Sequence, residues 1–261
     1  MDTCPKLWLA GVLLIACGSP APDQCLAARD IAANDSCVVL SGNWAFFQNE
    51  QPPDYLPHCS ASCIDVDGGV TISGFRSLEE VPLLRKMRQV RALSLDVHVL
   101  ANLSGLEAME MERLILGGTG EGDAFQSMTG LNVRQLQSLS VHQVSSSNFL
   151  SGAALERVAA ASFSATGLES LDLGGLEIDQ LKVESNERLS RLVVPGSAMR
   201  SVSINYNSLL SELGWDAGTS VQTIQIFENK SLSSCTVEAF ALATKADGGR
   251  APWVFANGPC P

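Results

Sequence analysis

The most regular feature of this chain is a pair of apolar residues, separated by one residue, that recurs between positions 70 and 226. The second members of successive pairs are separated by 20 to 25 residues. Apolar residues at alternate positions are typical of a short strand with one buried face, and a fixed period of this length is typical of repeat proteins. The eight pairs are Val70/Ile72, Leu93/Leu95, Leu114/Leu116, Leu139/Val141, Ala161/Phe163, Leu181/Val183, Val202/Ile204 and Ile224/Ile226.

A second strand-like pair follows in three of the later repeats, at 171/173, 192/194 and 213/215. One such repeat cannot bury its own apolar edge, so successive repeats must stack around a shared core. We therefore predict a β fold, a right-handed parallel β-solenoid of about eight short coils with a period of about 22 residues. A layered α/β domain would need a helical crossover of about ten or more residues at every connection. Only residues 78–92, 149–160 and 236–246 have a helix-like pattern.

An asparagine recurs at the same place in three repeats, as Asn186, Asn207 and Asn229. Asparagine tolerates the left-handed backbone of a sharp turn, and its amide both donates and accepts hydrogen bonds. We therefore predict a structural ladder of stacked asparagines at the turns. A functional cluster, for instance a sugar site, is the alternative.

The acidic composition excludes one class of partner. The chain has 261 residues, with 17 Lys and Arg against 28 Asp and Glu, and its net charge is −11. Nucleic-acid binding depends on a basic surface that neutralises phosphates, so we expect no nucleic-acid partner.

The N-terminal segment has the pattern of an export signal. The apolar run Leu7–Ala16 is ten residues long, whereas a membrane-spanning helix needs about 20. Such a run suits a signal peptide, and Leu14-Ile15-Ala16-Cys17 resembles a bacterial lipobox. The resemblance implies cleavage before Cys17 and a diacylglycerol on its thiol. Gly18 after this cysteine implies outer-membrane anchoring in a Gram-negative cell, facing the periplasm or the exterior. An ordinary secretory signal cut after Gly18 is the alternative.

Six of the eight cysteines remain when Cys4 in the signal and Cys17 are set aside. An even number in an exported chain predicts disulfides, and Cys235 with Cys260 is the natural local pair. The other four, at the front of the chain, allow three pairings, which the sequence leaves open. These four are Cys25, Cys37, Cys59 and Cys63.

The ends of a solenoid expose strand edges that must be covered, and this divides the chain. We expect a signal peptide over 1–16, a lipidated tether over 17–24, a cysteine-rich N-terminal cap over 25–63, a solenoid over 64–235, and a C-terminal cap with a short helix over 236–261.

The repeat resembles a known family. Residues 69–96 (GVTISGFRSLEEVPLLRKMRQVRALSLD), residues 100–118 (LANLSGLEAMEMERLILGG) and the three asparagine repeats are similar to receptor L domains. Those are leucine-rich-repeat-like β-solenoids of insulin- and EGF-receptor ectodomains, found also in exported bacterial lipoproteins. The resemblance covers about residues 59–245 and implies a non-catalytic binding scaffold.

The candidate chemistry points the same way. Polysaccharide-cleaving β-helices stack carboxylates on one face, and within the predicted solenoid, 64–235, no two aspartates recur at the repeat spacing. His98 and His142 are two coils apart, at least about 9 Å, so they cannot share a metal. We therefore predict no catalytic residue, cofactor or metal. The small polar residues between the apolar pairs form an outward face whose possible binding part is Ser203, Tyr206, Gln225 and Phe227.

The sequence thus favours a non-catalytic envelope lipoprotein that recognises or adheres to a protein or glycan partner. It touches the membrane only through its lipid, and its oligomeric state is open. A parallel β-helix carbohydrate-active enzyme and a purely structural envelope protein are the alternatives.

Overall fold

The chain forms a parallel β-solenoid in the computed structural model, which describes residues 6–9, 12–15, 37–48, 58, 61–119, 122–146, 149–246 and 248–260. The solenoid has about eight turns with a period near 22 residues, and a single helix lies near its C-terminal end in the described chain. The predicted fold class is therefore confirmed. Strands β1 (Lys6–Leu9) and β2 (Val12–Ile15) pair antiparallel in a sheet of their own.

Short strands account for most of the regular structure. In chain order the others are β3 (Val38–Ser41), β4 (Trp44–Phe47), β5 (Ile64–Ser73), β6 (Met87–Asp96), β7 (Glu110–Gly117), β8 (Gln135–His142), β9 (Arg157–Ser164), β10 (Ser170–Asp172), β11 (Glu177–Glu184), β12 (Arg191–Val194), β13 (Ala198–Asn205), β14 (Glu212–Trp215), β15 (Ser220–Phe227) and β16 (Trp253–Phe255).

One large sheet runs the length of the solenoid, with one strand from nearly every turn. In the described residues its order is β16-β15-β13-β11-β9-β8-β7-β6-β5-β3, and β4 also pairs with β5. All of its pairings are parallel, because successive strands are successive turns of one coil. Each of the eight apolar pairs lies opposite the next, as Val70 does to Leu93 and Leu93 to Leu114. The predicted register is confirmed along the whole stack.

A smaller parallel sheet, β10-β12-β14, supplies the second side of the later coils. Leu171 lies opposite Leu192 and Leu192 opposite Leu213, as the second set of apolar pairs predicts. The inward side chains of both sheets belong to one hydrophobic cluster. The coils therefore share one continuous core.

Two of the three helix-like segments are not α-helical. Residues 78–92 contain two short 3-10 helices, Leu78–Glu80 and Leu84–Lys86, and then enter β6. Residues 149–160 pass through turns into β9. Apolar residues of the connections point into the same core as those of the strands, for example Leu78 at 1 % exposure, and this imitates a helical period.

The third segment does contain an α-helix, α1 (Ser234–Thr244). It begins one residue before Cys235 and packs against β14 and β15. Phe240 is fully buried and contacts Trp215 with ring centroids 5.4 Å apart. No helix in the described part of the chain is both long enough and apolar enough to cross a membrane.

The three asparagines form one buried column. The side-chain amide of Asn186 donates to Oδ1 of Asn207 (2.9 Å), and that of Asn207 donates to Oδ1 of Asn229 (3.1 Å). The column continues beyond the prediction at both ends: Asn229 donates to Asn257 (3.2 Å), and Thr166 donates to Asn186 (2.6 Å). Each asparagine of the column thus links its own turn to the turn of the next coil by a hydrogen bond.

The backbone at these turns differs from the expectation in one respect. The left-handed residue is the one before the asparagine: Ser185, Tyr206 and Glu228 have φ of 55°, 58° and 56°. The asparagine itself is needed for its amide, because only a side chain with both donor and acceptor can bond to the rungs above and below.

The disulfides lie near the two ends of the stack. Cys37 bonds to Cys63, beside the parallel pairing of β3 with β5, and Cys235 bonds to Cys260 across the C-terminal cap. The other predicted cysteines, Cys17, Cys25 and Cys59, lie outside the described residues.

Candidate functional site

The outward side chains of the large sheet form rows along the solenoid, one residue per turn. In the middle row Ser203 lies opposite Gln225, and Gln225 lies opposite Trp253 of β16. In the next row Asn205 lies opposite Phe227, and Phe227 opposite Phe255. The full middle row from β5 onward is Thr71, Ser94, Ile115, Ser140, Ser162, Lys182, Ser203, Gln225 and Trp253.

An aromatic cluster, which comprises Tyr206, Phe227, Trp253 and Phe255, ends this face at the C-terminal side. The rings of Phe227 and Phe255 are parallel with centroids 4.9 Å apart, because they hold the same position on adjacent strands about 4.8 Å apart. Tyr206 meets the Phe227 ring edge-on at 5.4 Å, and Trp253 lies 5.5 Å from Phe255.

The cluster is exposed although it is apolar. Tyr206 is 55 % exposed, Trp253 57 % and Phe255 42 %, while Phe227 is half-buried between them. Aromatic pairs of this geometry stabilise one another beyond the area they bury. The contacts between the rings therefore hold them in place in the unbound protein.

The polar members of the predicted binding face lie beside these rings. Ser203 accepts a hydrogen bond from the amide of Asn205 (2.7 Å), and Gln225 is half-buried next to Trp253. Asn205 is 5 % exposed, and its amide oxygen has no hydrogen-bond partner among the described residues. A buried acceptor without a partner is uncommon and costs free energy.

Sequence reasoning found Tyr206 and Phe227 but missed Trp253 and Phe255. They follow α1, and the asparagine step here is 28 residues, from Asn229 to Asn257, instead of 21 or 22. A signal was nevertheless present. Val254 and Asn257 keep the spacing of Ile226 and Asn229, so Trp253–Asn257 is a shortened last repeat beyond the helix.

Asp96, His98 and His142 on this side of the solenoid are engaged in hydrogen bonds with neighbouring side chains. His142 has Ser164 Oγ 2.6 Å from Nδ1 and Ser140 Oγ 2.7 Å from Nε2. Asp96 accepts from Ser73 (2.8 Å) and lies 2.8 Å from His98 Nδ1. Both histidines are thus held by hydrogen bonds within the sheet face.

The ionisation of Asp96 is shifted by this setting. Burial raises the pKa of Asp96, but hydrogen bonds from His98 and Ser73 together outweigh it, so the pKa is lowered. A general acid requires the opposite shift. Among the described residues no three His, Cys, Asp or Glu side chains are grouped so that they could hold a metal.

No protein-family model, curated protein or solved structure matches the chain. The function must therefore be argued from the surface itself.

Proposed function

We propose that this protein is a non-catalytic recognition or adhesion module, and that it binds a protein or glycan partner on the aromatic cluster. The observation that carries the proposal is the contiguous group of exposed rings at the C-terminal end of a flat polar face. Exposed apolar patches on soluble domains mark interaction sites more often than isolated residues do. Aromatic anchors surrounded by small polar groups are the composition of adaptable binding surfaces.

The rigidity of the site also supports binding. Phe227 and Phe255 lie on paired strands, and Tyr206 lies in a turn that the asparagine column closes on its inner side. Binding to side chains that are already ordered costs less entropy than ordering a flexible loop. The resemblance of the repeat to receptor L domains points to the same class of function.

The unpartnered amide oxygen of Asn205 is a second supporting feature. It lies beside the cluster, in the row of Phe227, where a ligand hydroxyl or N–H group that reaches it could donate a hydrogen bond. Such a bond would satisfy an acceptor that the free protein leaves unsatisfied.

A binding comparison tests this function. The full-length protein, purified in detergent, is applied to printed glycans and to purified envelope and extracellular proteins, together with a Trp253→Ser/Phe255→Ser variant. The control is Ile115→Ser, which removes an apolar side chain of 38 % exposure from the same face. We expect the cluster variant to lose binding by about tenfold or more, since aromatic anchors dominate such interfaces.

Equal binding by the double variant and the wild type, with unchanged thermal unfolding, would reject the aromatic cluster as the site. A protein that binds no partner in either panel would favour the purely structural role.

The compartment is a separate proposal. We propose that the protein is exported and anchored to the outer membrane through a lipid on Cys17. Mass spectrometry of the mature N-terminus is expected to find a diacylglycerol-modified Cys17. An unmodified start at Ser19 would contradict the anchor and favour an ordinary secretory signal.

A further inference from the structure

A cavity of about 570 Å³ opens beside the aromatic cluster. Arg200, Ser201, Gln222, Thr223 and residues 248–250 line it. Sites for small ligands typically have volumes of about 300–1,000 Å³, so the cavity, which we call the arginine pocket, has room for a sugar unit.

The arginine pocket and the aromatic cluster lie on the same strands. Ser201 is opposite Thr223, and two residues further along β15 Gln225 is opposite Trp253. Two residues of a strand span about 6.6 Å. A ligand of two or three sugar units can therefore reach both the pocket and the rings.

The two arginines of the pocket differ in their partners. Arg200 forms an ion pair with Asp179 (3.0 Å), so its charge is largely neutralised. Arg250 is exposed, and its backbone N–H donates to the carbonyl of Gln222 (2.9 Å). No ion-pair partner for the Arg250 guanidinium lies in the described parts of the chain.

The unpaired guanidinium indicates the charge of the ligand. A guanidinium presents a planar set of donors that matches a carboxylate with two parallel hydrogen bonds. The protein as a whole carries a charge of −11, which repels densely charged polyanions. An arginine without an ion-pair partner in the described residues therefore suits a short acidic glycan that places one carboxylate at the pocket.

We infer that the arginine pocket binds the carboxylate of an acidic sugar within a glycan whose next ring contacts the aromatic cluster. Arg250 pairs with the carboxylate, and the hydroxyls of Ser201 and Thr223 and the amide of Gln222 bond to the sugar hydroxyls. This inference rests on the proposed function and specifies its ligand class. A typical protein interface buries about 800 Å² on each side, whereas the arginine pocket, at about 570 Å³, has the volume of a small-ligand site.

Calorimetric titration of the full-length protein tests this inference. The probes are trigalacturonate and sialyllactose, each beside its methyl ester, which keeps the rings and removes the negative charge. A tri-glutamate peptide offers carboxylates without a sugar. We expect at least one of the two acids to bind about tenfold or more tightly than its ester, as a charge-assisted hydrogen-bond pair requires.

The chain offers a matched control for the arginine. Arg113 is exposed on the same row of the same sheet as Ser201 and Thr223, five strands from Thr223, or about 24 Å away. Arg250→Gln is expected to abolish the preference for acid over ester. Arg113→Gln changes the net charge equally and is expected to leave the preference intact.

Three results would overturn the inference: no preference for acid over ester in either pair, equal losses in both arginine variants, or tri-glutamate binding as tightly as the acids. The absence of binding to every probe would overturn it as well. If the esters bind like the acids and Trp253→Ser weakens both, the proposed function stands and the ligand class is wrong. If Arg250 matters and the Trp253→Ser/Phe255→Ser variant binds normally, the pocket stands and the aromatic site is wrong.

Discussion

Replacing Asn207 by alanine removes the centre of the asparagine column. Asn207 is fully buried, and its amide nitrogen donates to the carbonyls of Val183 (3.1 Å) and Asn205 (3.0 Å) as well as to Asn229. Its amide oxygen accepts from the backbone N–H of Asn186 (3.1 Å). Alanine can make none of these bonds, and the space is too enclosed for bulk water.

The expected loss follows from these contacts. The buried N–H of Asn186 loses its acceptor, which costs about 1–3 kcal/mol. Two side-chain hydrogen bonds to backbone carbonyls are also lost, at about 1 kcal/mol each. We therefore expect Asn207→Ala to lower the free energy of unfolding by roughly 3–5 kcal/mol.

Urea unfolding with the disulfides intact, followed by circular dichroism, measures this change. Asn132→Ala is the control, because Asn132 is exposed and its amide donates to one carbonyl in the described structure, that of Glu107 (3.2 Å). Its expected loss is below about 1 kcal/mol. If Asn207→Ala loses no more than this control, the column does not stabilise the coils and our account of the repeat is wrong.

Three further outcomes are expected. Cys37→Ser with Cys63→Ser opens a loop of sequence separation 26 and should lower the free energy of unfolding by about 3.5 kcal/mol, measured by thermal melting; an unchanged melt would contradict this. Burial raises the pKa of Asp96, but the hydrogen bonds from His98 and Ser73 outweigh burial and leave the pKa below its ordinary value. The ionised Asp96 therefore stabilises the fold above its unfolded pKa of about 3.9, and this contribution is lost as the pH falls through the lower folded value. Asp96→Asn should therefore flatten the stability profile below pH 4, and an unaltered profile would count against the network. Phe163→Ala, at a fully buried position, should cost about 3–5 kcal/mol in the same urea assay, and a loss near zero would show that the core tolerates the cavity.

The solenoid was predictable because successive side chains of a strand face the core and the solvent in turn. Shifting a strand by one residue would turn its apolar side chains to solvent, so a buried face determines the register. Val202 and Ile204 therefore align with Ile224 and Ile226, as their spacing of 22 residues predicts. The same reasoning applies to every turn of the stack.

The helical predictions were less successful because periodicity describes burial and not backbone conformation. Leu83, Met87 and Val90 are all buried, at spacings of four and three residues that a helix would also produce. In a solenoid the connections fill the core together with the strands, so inward residues occur at irregular spacings. Of the three helix-like segments only the last forms an α-helix in the described chain: α1 connects β15 to the last strand, β16, and packs against β14 and β15.

The sequence by itself determined the repeat: which residues face inward, which face outward, and that successive coils stack in parallel. The physical reason is that apolar and polar residues alternate along each strand, with the apolar ones facing the shared core, and this alternation is visible in the local sequence. Only the tertiary structure decided which outward residues form one surface. Tyr206 and Phe255 are 49 residues apart in sequence, yet both contact the Phe227 ring, because the chain leaves the stack through α1 and returns as one more strand at its edge. The pairing of β16 with β15 is a long-range event: Val254 and Asn257 keep the local spacing of a repeat, but the 28-residue step through α1 departs from the repeat period, so only the folded chain shows which strand they join.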